Sequence, residues 1–566
     1  MSTSQPSPTL QTRLRDRLER APERPALAFA DPAGVYRWRS FAEVYADAAG
    51  YGAALAERGL ERDRVCVLAL PSDELCGQLL LGALLIGARP LLVAPPVVRG
   101  LQSQLAETLA EVLTATDAAL FIGDEGFAPL AEDLARASPD TRLLFGAGTI
   151  TAAEADSAPQ ARPRADDVAL LQLTSGTTGR PRICVWEQHA VDAALVGMKH
   201  AMQLGPDDRC LNWTPLYHDM GLVNNFLLCL VEGVPLAMLG TLDFLKKPAR
   251  WLQGLTATGA TMTWSPNFGF ALAAQRIRDT DLDGVSLDGV RAFWNAAERI
   301  HLETLEAFLG RFARLGVRRE AMRTNFGCAE NVGGATFSDD GWLSERLDAQ
   351  ALFDEGIAEL AEPDGADHID VVGVGRPHPG MSIRILSPDG ESLPDGRVGE
   401  VALDTPSRMR GYLGAPEATH EALDNGLLRT GDLGYLRDGE LFWVGRVRER
   451  INLRGRKYDP SDFERALLET LGLREGCFAA FGVDDPELGT QRLVIVTEVR
   501  DTNERPLHEL LAGVREQVLL RVGVHVDEVL LLPQAAMAKT SSGKRRHRFY
   551  RREYLEGRLQ PLTRLG

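Results

Sequence analysis

The chain has 566 residues, 45% of them hydrophobic and 25% charged, with a formal net charge of −17 and seven cysteines. That length exceeds one ordinary domain and implies two or more units with ample core, while the acidic balance excludes a general nucleic-acid binder, whose domain is normally basic. The cysteines form no C-x-x-C pair and most lie in apolar surroundings, the pattern of reduced, buried thiols in a cytoplasmic protein.

The first twenty residues have no apolar h-region, so no signal peptide is expected. Apolar spacing predicts helices over 10–20 and 41–58. A strand over 65–70, a helix over 74–86, a strand over 90–94, a helix over 105–116 and a strand over 118–122 follow. This alternation implies a mostly parallel sheet covered on both faces. The most apolar stretch, 79–98, is broken by Arg89, Pro90, Pro95 and Pro96, and reads as a buried helix followed by a strand, with no membrane span.

An apolar run over 168–173 leads into Thr174, Ser175, Gly176, Thr177, Thr178, Gly179, Arg180, Pro181 and Arg182. Hydroxyls, exposed N–H groups and glycines at this density read either as a polar turn or as a loop that grips phosphate, with Arg180 and Arg182 supplying positive charge. No Walker sequence G-x-x-x-x-G-K-[ST] occurs. A helix is expected over 189–202. The segment 210–222 reads as a strand running into a polar turn that holds Tyr217, His218 and Asp219. There the imidazole either is satisfied by a neighbour or contacts a ligand.

Trp264, Asn267, Phe268 and Phe270 lie in 261–270, where the aromatic residues fit either core or pocket lining. Ala296, Ala297 and Glu298 close 291–298, and Asn325, Phe326, Gly327 and Glu330 lie in 324–331. Residues 338–369 have weak periodicity and many acids, and read as a long surface excursion. Strand patterns over 428–446 flank Asp438-Gly439, a hairpin signal, and carry Asp432 and Arg446. The charged run 448–457 marks a domain boundary. Beyond it a smaller α/β unit is expected, with helices over 461–471 and 507–522 and strands over 477–483 and 493–499. Only six lysines occur in the chain, and two of them bracket Lys539-Thr-Ser-Ser-Gly-Lys544. Such a basic run is ordinarily a solvated patch.

Together these segments resemble, over about residues 10–558, the adenylate-forming superfamily of acyl-CoA synthetases, luciferases and peptide-synthetase adenylation domains, and most of all the fatty-acyl-AMP ligases. The resemblance implies a large N-terminal α/β domain of parallel-rich sheets covered by helices, residues 1–446, and a small mobile C-terminal α/β domain, residues 447–566, hinged near Glu449. It implies that Thr174 to Gly179 bind the phosphates of ATP and that Arg182, where Lys is usual, adds charge. Ala297, Glu298, Asn325, Phe326 and Gly327 would line the adenine site, Glu330 would hold Mg2+, and Asp432 and Arg446 would bind the ribose. Tyr217, His218, Trp264, Asn267 and Phe268 would border the acyl pocket, and Lys544 would be the catalytic lysine. Ala296 stands where Gly is usual, and Phe326 where Tyr is commoner. The excursion at 338–369 matches in position an extra segment of fatty-acyl-AMP ligases.

The activity so implied is ATP-dependent conversion of a carboxylic acid, most naturally a fatty acid, to an acyl adenylate. The acyl group would then pass to an acyl carrier protein or to the carrier domain of a polyketide or peptide synthase. His218 replaces the Asp that binds the amine in peptide-synthetase domains, which disfavours an α-amino acid. The alternatives are an acyl- or aryl-CoA synthetase, a silent scaffold, and a nucleotide sensor.

Overall fold

The computed structural model describes residues 8–95, 102–155, 159–174, 182–362, 368–447, 451–453, 456–468, 470, 472–485, 490–500, 505–537 and 546–565. The alternation after residue 65 is present as the strand Val65–Ala69, the helix Glu74–Leu85, the strand Arg89–Leu92, the helix Gln102–Thr116 and the strand Leu120–Gly123. Asp73 starts Glu74–Leu85 by accepting the Cys76 N–H at 3.0 Å. Every residue from Cys76 to Leu85, Gln78 included, is buried, so this helix is covered all round. It packs on Phe41–Glu57 so closely that a Cβ on Gly82 would lie 2.7 Å from the backbone nitrogen of Gly52, a contact only glycine allows.

These strands belong to a seven-stranded sheet in the order Gly411–Tyr412, Ile183–Glu187, Val168–Leu173, Arg89–Leu92, Val65–Ala69, Leu120–Gly123, Arg142–Phe145. A nine-stranded sheet runs from Arg376–Pro377 through Gly333–Phe337, Met322–Cys328, Ala292–Ala296, Met262–Pro266, Cys210–Asn212, Leu236–Met238 and Pro25–Phe29 to Arg39–Ser40. Its central strands from Met322–Cys328 to Pro25–Phe29 are all parallel. One apolar cluster spans residues of both sheets, including Trp186, Trp264, Trp294 and Phe226.

A third sheet holds Ser382–Leu386, Gly399–Asp404, Leu427–Arg437, Leu423–Asp424 and Glu440–Arg446. Leu427–Arg437 and Glu440–Arg446 form the expected hairpin, with φ of +51° at Asp438 and +79° at Gly439, as a two-residue turn matched to strand twist requires. The smaller C-terminal unit is a four-stranded sheet, Leu473–Asp485, Thr490–Val499, Glu528–Leu532, Thr563–Leu565, with helices Pro460–Ala466, Leu507–Val522 and His547–Leu555 and apolar clusters of its own. Among the described residues no helix is long and apolar enough to cross a membrane.

Two expectations need correction. The stretch 338–369 is more than a surface excursion with little core: among its described residues Ser344–Asp348 pairs antiparallel with His368–Val372, and Leu347, Leu352, Ala358, Ile369 and Val371 form a core with Tyr435, Phe442 and Val444. Glu345 lies on the same strand face as Leu347 and accepts from the Tyr435 hydroxyl at 2.7 Å, so an acid stands at a core-facing position and the alternation is diluted in the sequence. The polar turn at Tyr217 and His218 is present, with the His218 N–H donating to the Pro215 carbonyl at 3.1 Å, but it ends sooner than expected because a helix starts at Asp219. Asp219–Gly221 continues through Leu222–Leu227 into Leu228–Glu232 as one helical run, buried from Met220 to Val231, and complete burial leaves no polar stripe to reveal a helical period.

His378 is buried, with Nδ1 3.0 Å from the Pro379 carbonyl oxygen. Desolvation holds its imidazole neutral, below the ordinary value of 6.5. The unfolded chain therefore binds the proton first on acidification. Its stabilising contribution is full above about pH 6.5 and is lost as the pH falls. Chemical denaturation of His378→Gln is expected to weaken less between pH 7 and 5 than that of the parent chain.

Candidate active site

The paired strands Val168–Leu173 and Ile183–Glu187 carry the two ends of the segment expected to bind phosphate. Thr174 N–H donates to the Arg182 carbonyl at 2.8 Å, and Arg182 N–H donates to Thr174 Oγ1 at 3.2 Å. Ser175, Gly176, Thr177, Thr178 and Gly179 lie outside the described residues, as do Glu449 and Lys544. From this neck the Arg182 guanidinium reaches over the Tyr412 ring, 5.0 Å from its centroid. Tyr412 is carried there by Gly411–Tyr412, which pairs with Cys184 and Val185. Its hydroxyl donates to Glu330 Oε1 at 2.7 Å. Burial first, and then the Glu330 charge, push the phenol well above its ordinary range, so it remains a donor. Sequence reasoning missed Tyr412; nothing in Arg410-Gly-Tyr-Leu413 signals that its strand pairs beside the phosphate loop.

Glu330 sits in the tight turn Ala329–Asn331, between the antiparallel strands Met322–Cys328 and Gly333–Phe337. The turn is pinned on all sides. Trp186 Nε1 donates to the Ala329 carbonyl at 2.7 Å and Met409 N–H to the Glu330 carbonyl at 2.7 Å, while the Thr405 and Ser407 hydroxyls each donate to Asn331 Oδ1 at 3.0 Å. Gly327 permits the crossing, because a Cβ there would lie 2.5 Å from the Gly333 carbonyl oxygen. Next to it, Asn325 Nδ2 donates to the Thr336 and Phe326 carbonyls, and Phe326, 8% exposed, lies against the second apolar cluster.

Asp432 is 4% exposed. Its Oδ1 accepts from Trp443 Nε1 at 3.0 Å and lies 3.3 Å from Arg446 Nε, directly across the hairpin. The two expected ribose ligands are therefore already paired with each other. Burial pushes the Cys328 thiol far up, followed in effect by the charges of Glu330, Asp432 and Asp219. Burial does the same at Cys184, where Glu330, Cys328 and Asp219 add to it and Arg182 opposes. Three carboxylates thus converge on one region with Arg182. Among the described residues no cluster of three His, Cys, Asp or Glu is arranged to cage a metal. That donor set suits Mg2+, which is ordinarily held through one or two carboxylates with substrate phosphates.

The segment expected at the base is built from helix-end chemistry. The helix Asn267–Arg276 lacks a side-chain cap from Pro266; instead the Phe268 N–H donates to Glu298 Oε1 at 2.7 Å, an acid at a helix N-terminus. Asn267 Oδ1 accepts from Asn295 Nδ2 and from His301 N–H, and its Nδ2 donates to Thr304 Oγ1, each at 3.2 Å. Ala297 takes φ +73°, whereas Ala296 ends an extended strand and is not left-handed. The unusual methyl of Ala296 therefore carries no backbone strain.

Of the expected pocket residues, Tyr217 and His218 are half-buried on one segment, tied to the phosphate-loop strand by Gln172 Nε2 donating to the Tyr217 carbonyl at 3.0 Å. Burial pushes the Tyr217 phenol up to about 12. His218 Nδ1 lies 2.7 Å from Asp219 Oδ1. Phe268 meets Trp213 edge-on at 5.9 Å. Trp264 is wholly buried, stacked on Trp294 at 5.3 Å.

Two parallel-rich sheets sharing one apolar core, followed by a third sheet and a small α/β unit, give the fold of an adenylate-forming enzyme. The model of the AMP-binding enzyme family matches residues 14–413. The chain belongs to that family of ligases, whose members work on ATP. It is 28% identical over 564 residues to a long-chain-fatty-acid–AMP ligase of Mycobacterium marinum, covering 94% of each chain. It is 31% identical over 410 residues to a medium-chain-fatty-acid–[acyl-carrier-protein] ligase of Moorena producens, covering 70% of this chain and 69% of that one. A solved structure from a study of fatty acyl-adenylate ligases of E. coli and L. pneumophila superposes with TM-score 0.89 at 26% identity over 98% of both chains.

Proposed function

We propose that the chain joins a fatty acid to AMP at the expense of ATP, releases pyrophosphate, and passes the acyl group to the phosphopantetheine thiol of an acyl carrier protein. The observation that carries this reading is the chain of contacts Arg182–Tyr412–Glu330, which links the phosphate-loop neck to a carboxylate suited to Mg2+. Attack of a carboxylate on the α-phosphate brings two anions together, so catalysis is charge neutralisation and alignment. Arg182, with Thr174 and the loop hydroxyls, holds the terminal phosphates. Mg2+ held by Glu330 neutralises phosphate charge when bound. Asp432 accepts from the ribose hydroxyls and Arg446 adds a donor. Ala297, Glu298, Asn325, Phe326 and Gly327 line the adenine site, and Lys544 steadies the carboxylate and the α-phosphate. The acyl pocket opens beside Tyr217 and His218, and Phe268 borders it.

The small unit, taken from residue 447 and hinged near Glu449, turns between the two half-reactions. Transfer to a carrier protein rather than to coenzyme A is supported by the strand pair Ser344–Asp348/His368–Val372 and the Ala351–Glu355 turn beside it, which lies against the small unit's strand Arg456–Tyr458. An insert packed against the moving part opposes large swings. Cysteines that are all free thiols suit a reducing cytoplasm. A putative fatty-acid–CoA ligase of Mycobacterium tuberculosis, 31% identical over 408 residues, favours the second reading, a CoA synthetase. Mass spectrometry of the protein with Mg-ATP, a ladder of fatty and aryl acids, and either coenzyme A or a holo carrier protein decides between them. Acyl adenylate and acylated carrier without acyl-CoA are expected; ready acyl-CoA formation favours the synthetase.

Tyr412→Phe removes the hydroxyl on Glu330 and keeps the ring under Arg182. It is expected to lower the rate of adenylate formation about tenfold, one hydrogen bond to a charged group, and to raise the Mg2+ concentration at half-maximal rate. Titration of pyrophosphate release against Mg2+ measures both.

A further inference from the structure

Arg299 follows the base-side segment directly, and its guanidinium leaves the large part of the chain altogether. Nη1 donates to Asp462 Oδ1 at 2.8 Å and to Ser461 Oγ at 3.0 Å, both in the first turn of the small unit's helix Pro460–Ala466. Arg299 and Asp462 side chains are each only 9% exposed. Asp462 is itself held in place, since its Oδ2 accepts the Asp459 N–H at 3.3 Å, and Asp459 Oδ1 in turn accepts the Ser461 N–H at 2.9 Å. Three residues further along the small unit's helix and four further along the large part, Arg465 Nη1 meets Glu303 Oε1 at 3.3 Å with the charges reversed. The seam therefore reads plus then minus on the large part and minus then plus on the small one, so it fits in one register only.

The large-part side of the seam is as rigid as the small one. Glu298 holds the Phe268 N–H, and Asn267 holds His301 N–H and Thr304 Oγ1, so residues 297–304 move as one body with the helix Asn267–Arg276. A buried ion pair also has the right energetics for a reversible catch: the desolvation cost largely cancels the attraction, so separating both partners into water is cheap, whereas losing one partner while the other stays buried is not. The charges of Asp462 and Asp459 outweigh burial and keep Arg299 above its ordinary value, so it stays charged at any working pH.

We infer that Arg299 is a positioning residue that latches the small unit to the base-side loop through Asp462, fixing one of the two domain arrangements used in turn by adenylate formation and acyl transfer. The inference rests on the two-step reading above for its catalytic consequence, but not for the latch itself. A distance measurement separates the two. Leu242 and Leu520 are exposed on the large and small parts, while six native cysteines are buried and Cys328 half-buried, so spin labels on Leu242→Cys and Leu520→Cys report the arrangement by pulsed electron resonance. Arg299→Met is expected to broaden the distance distribution, and to change the ratio of the adenylation rate to the rate of transfer from supplied acyl adenylate about tenfold. Asp462→Asn should do the same, and the double variant should be no worse than either single one. An unchanged distribution overturns the latch. A broadened distribution with an unchanged ratio of half-reactions overturns the positioning role, and additive effects of the two substitutions overturn the pair.

Discussion

Replacing Lys544 by alanine is expected to reduce acyl-adenylate formation about 10³-fold, the scale of losing one preorganised charge at a reacting centre, while acyl transfer from supplied adenylate changes little. The chain uses six lysines among 62 basic residues and places one at 544, within Lys539-Thr-Ser-Ser-Gly-Lys544. A compact ammonium on a flexible stem can sit between a carboxylate and an α-phosphate; a planar guanidinium presents its donors as a fixed fork. Lys544→Arg should therefore recover only a small part of the rate. Pyrophosphate release under saturating acid and ATP measures the first half-reaction, and carrier acylation from synthetic acyl adenylate measures the second. Normal pyrophosphate release by Lys544→Ala would remove the lysine from the mechanism.

Asp432→Asn is expected to lower kcat/KM for ATP by about 10- to 100-fold, the worth of hydrogen bonds to a charged acceptor, with the KM for the acid little changed. The amide keeps the shape but loses the charge that faces Arg446, and it replaces an acceptor oxygen by a donor nitrogen. Because Trp443 Nε1 and Arg446 Nε converge on Oδ1, either orientation of the amide leaves a poorer site for two vicinal hydroxyls. Initial rates over a matrix of ATP and acid concentrations separate the two Michaelis constants. Equal loss in both would point to general disruption of the hairpin instead.

Local chemistry made much of this molecule legible. The helix Leu10–Arg20 has the bounds its apolar spacing predicts, and the strand Val65–Ala69 and the helix Phe41–Glu57 differ by one residue at one end. Period and capping are properties of neighbours in the chain: Ser40 and Glu43 form the reciprocal cap of Phe41–Glu57 within four residues. Asp438-Gly439 specified its hairpin for the same reason. The helix after His218 was hidden because burial on every side erases the period. The strand pair Ser344–Asp348/His368–Val372 was hidden because its partners, Tyr435 and Phe442, lie far along the chain.

The candidate site divides along the same line. Its residue types and short spacings, Thr174 to Arg182, Asn325 to Glu330 and Asp432 to Arg446, were determined by the sequence, and Glu330 lies in a turn and Asp432 in a hairpin that their own neighbours shape. Only the tertiary structure decided what those groups meet. It put Tyr412 between Arg182 and Glu330, committed Asn267 and Glu298 to holding a helix end, stacked Trp264 on Trp294 in the interior, and joined Arg299 to Asp462 across 163 positions of sequence. Contacts at such separations depend on how sheets and helices pack, and packing is a property of the whole chain that no local pattern encodes.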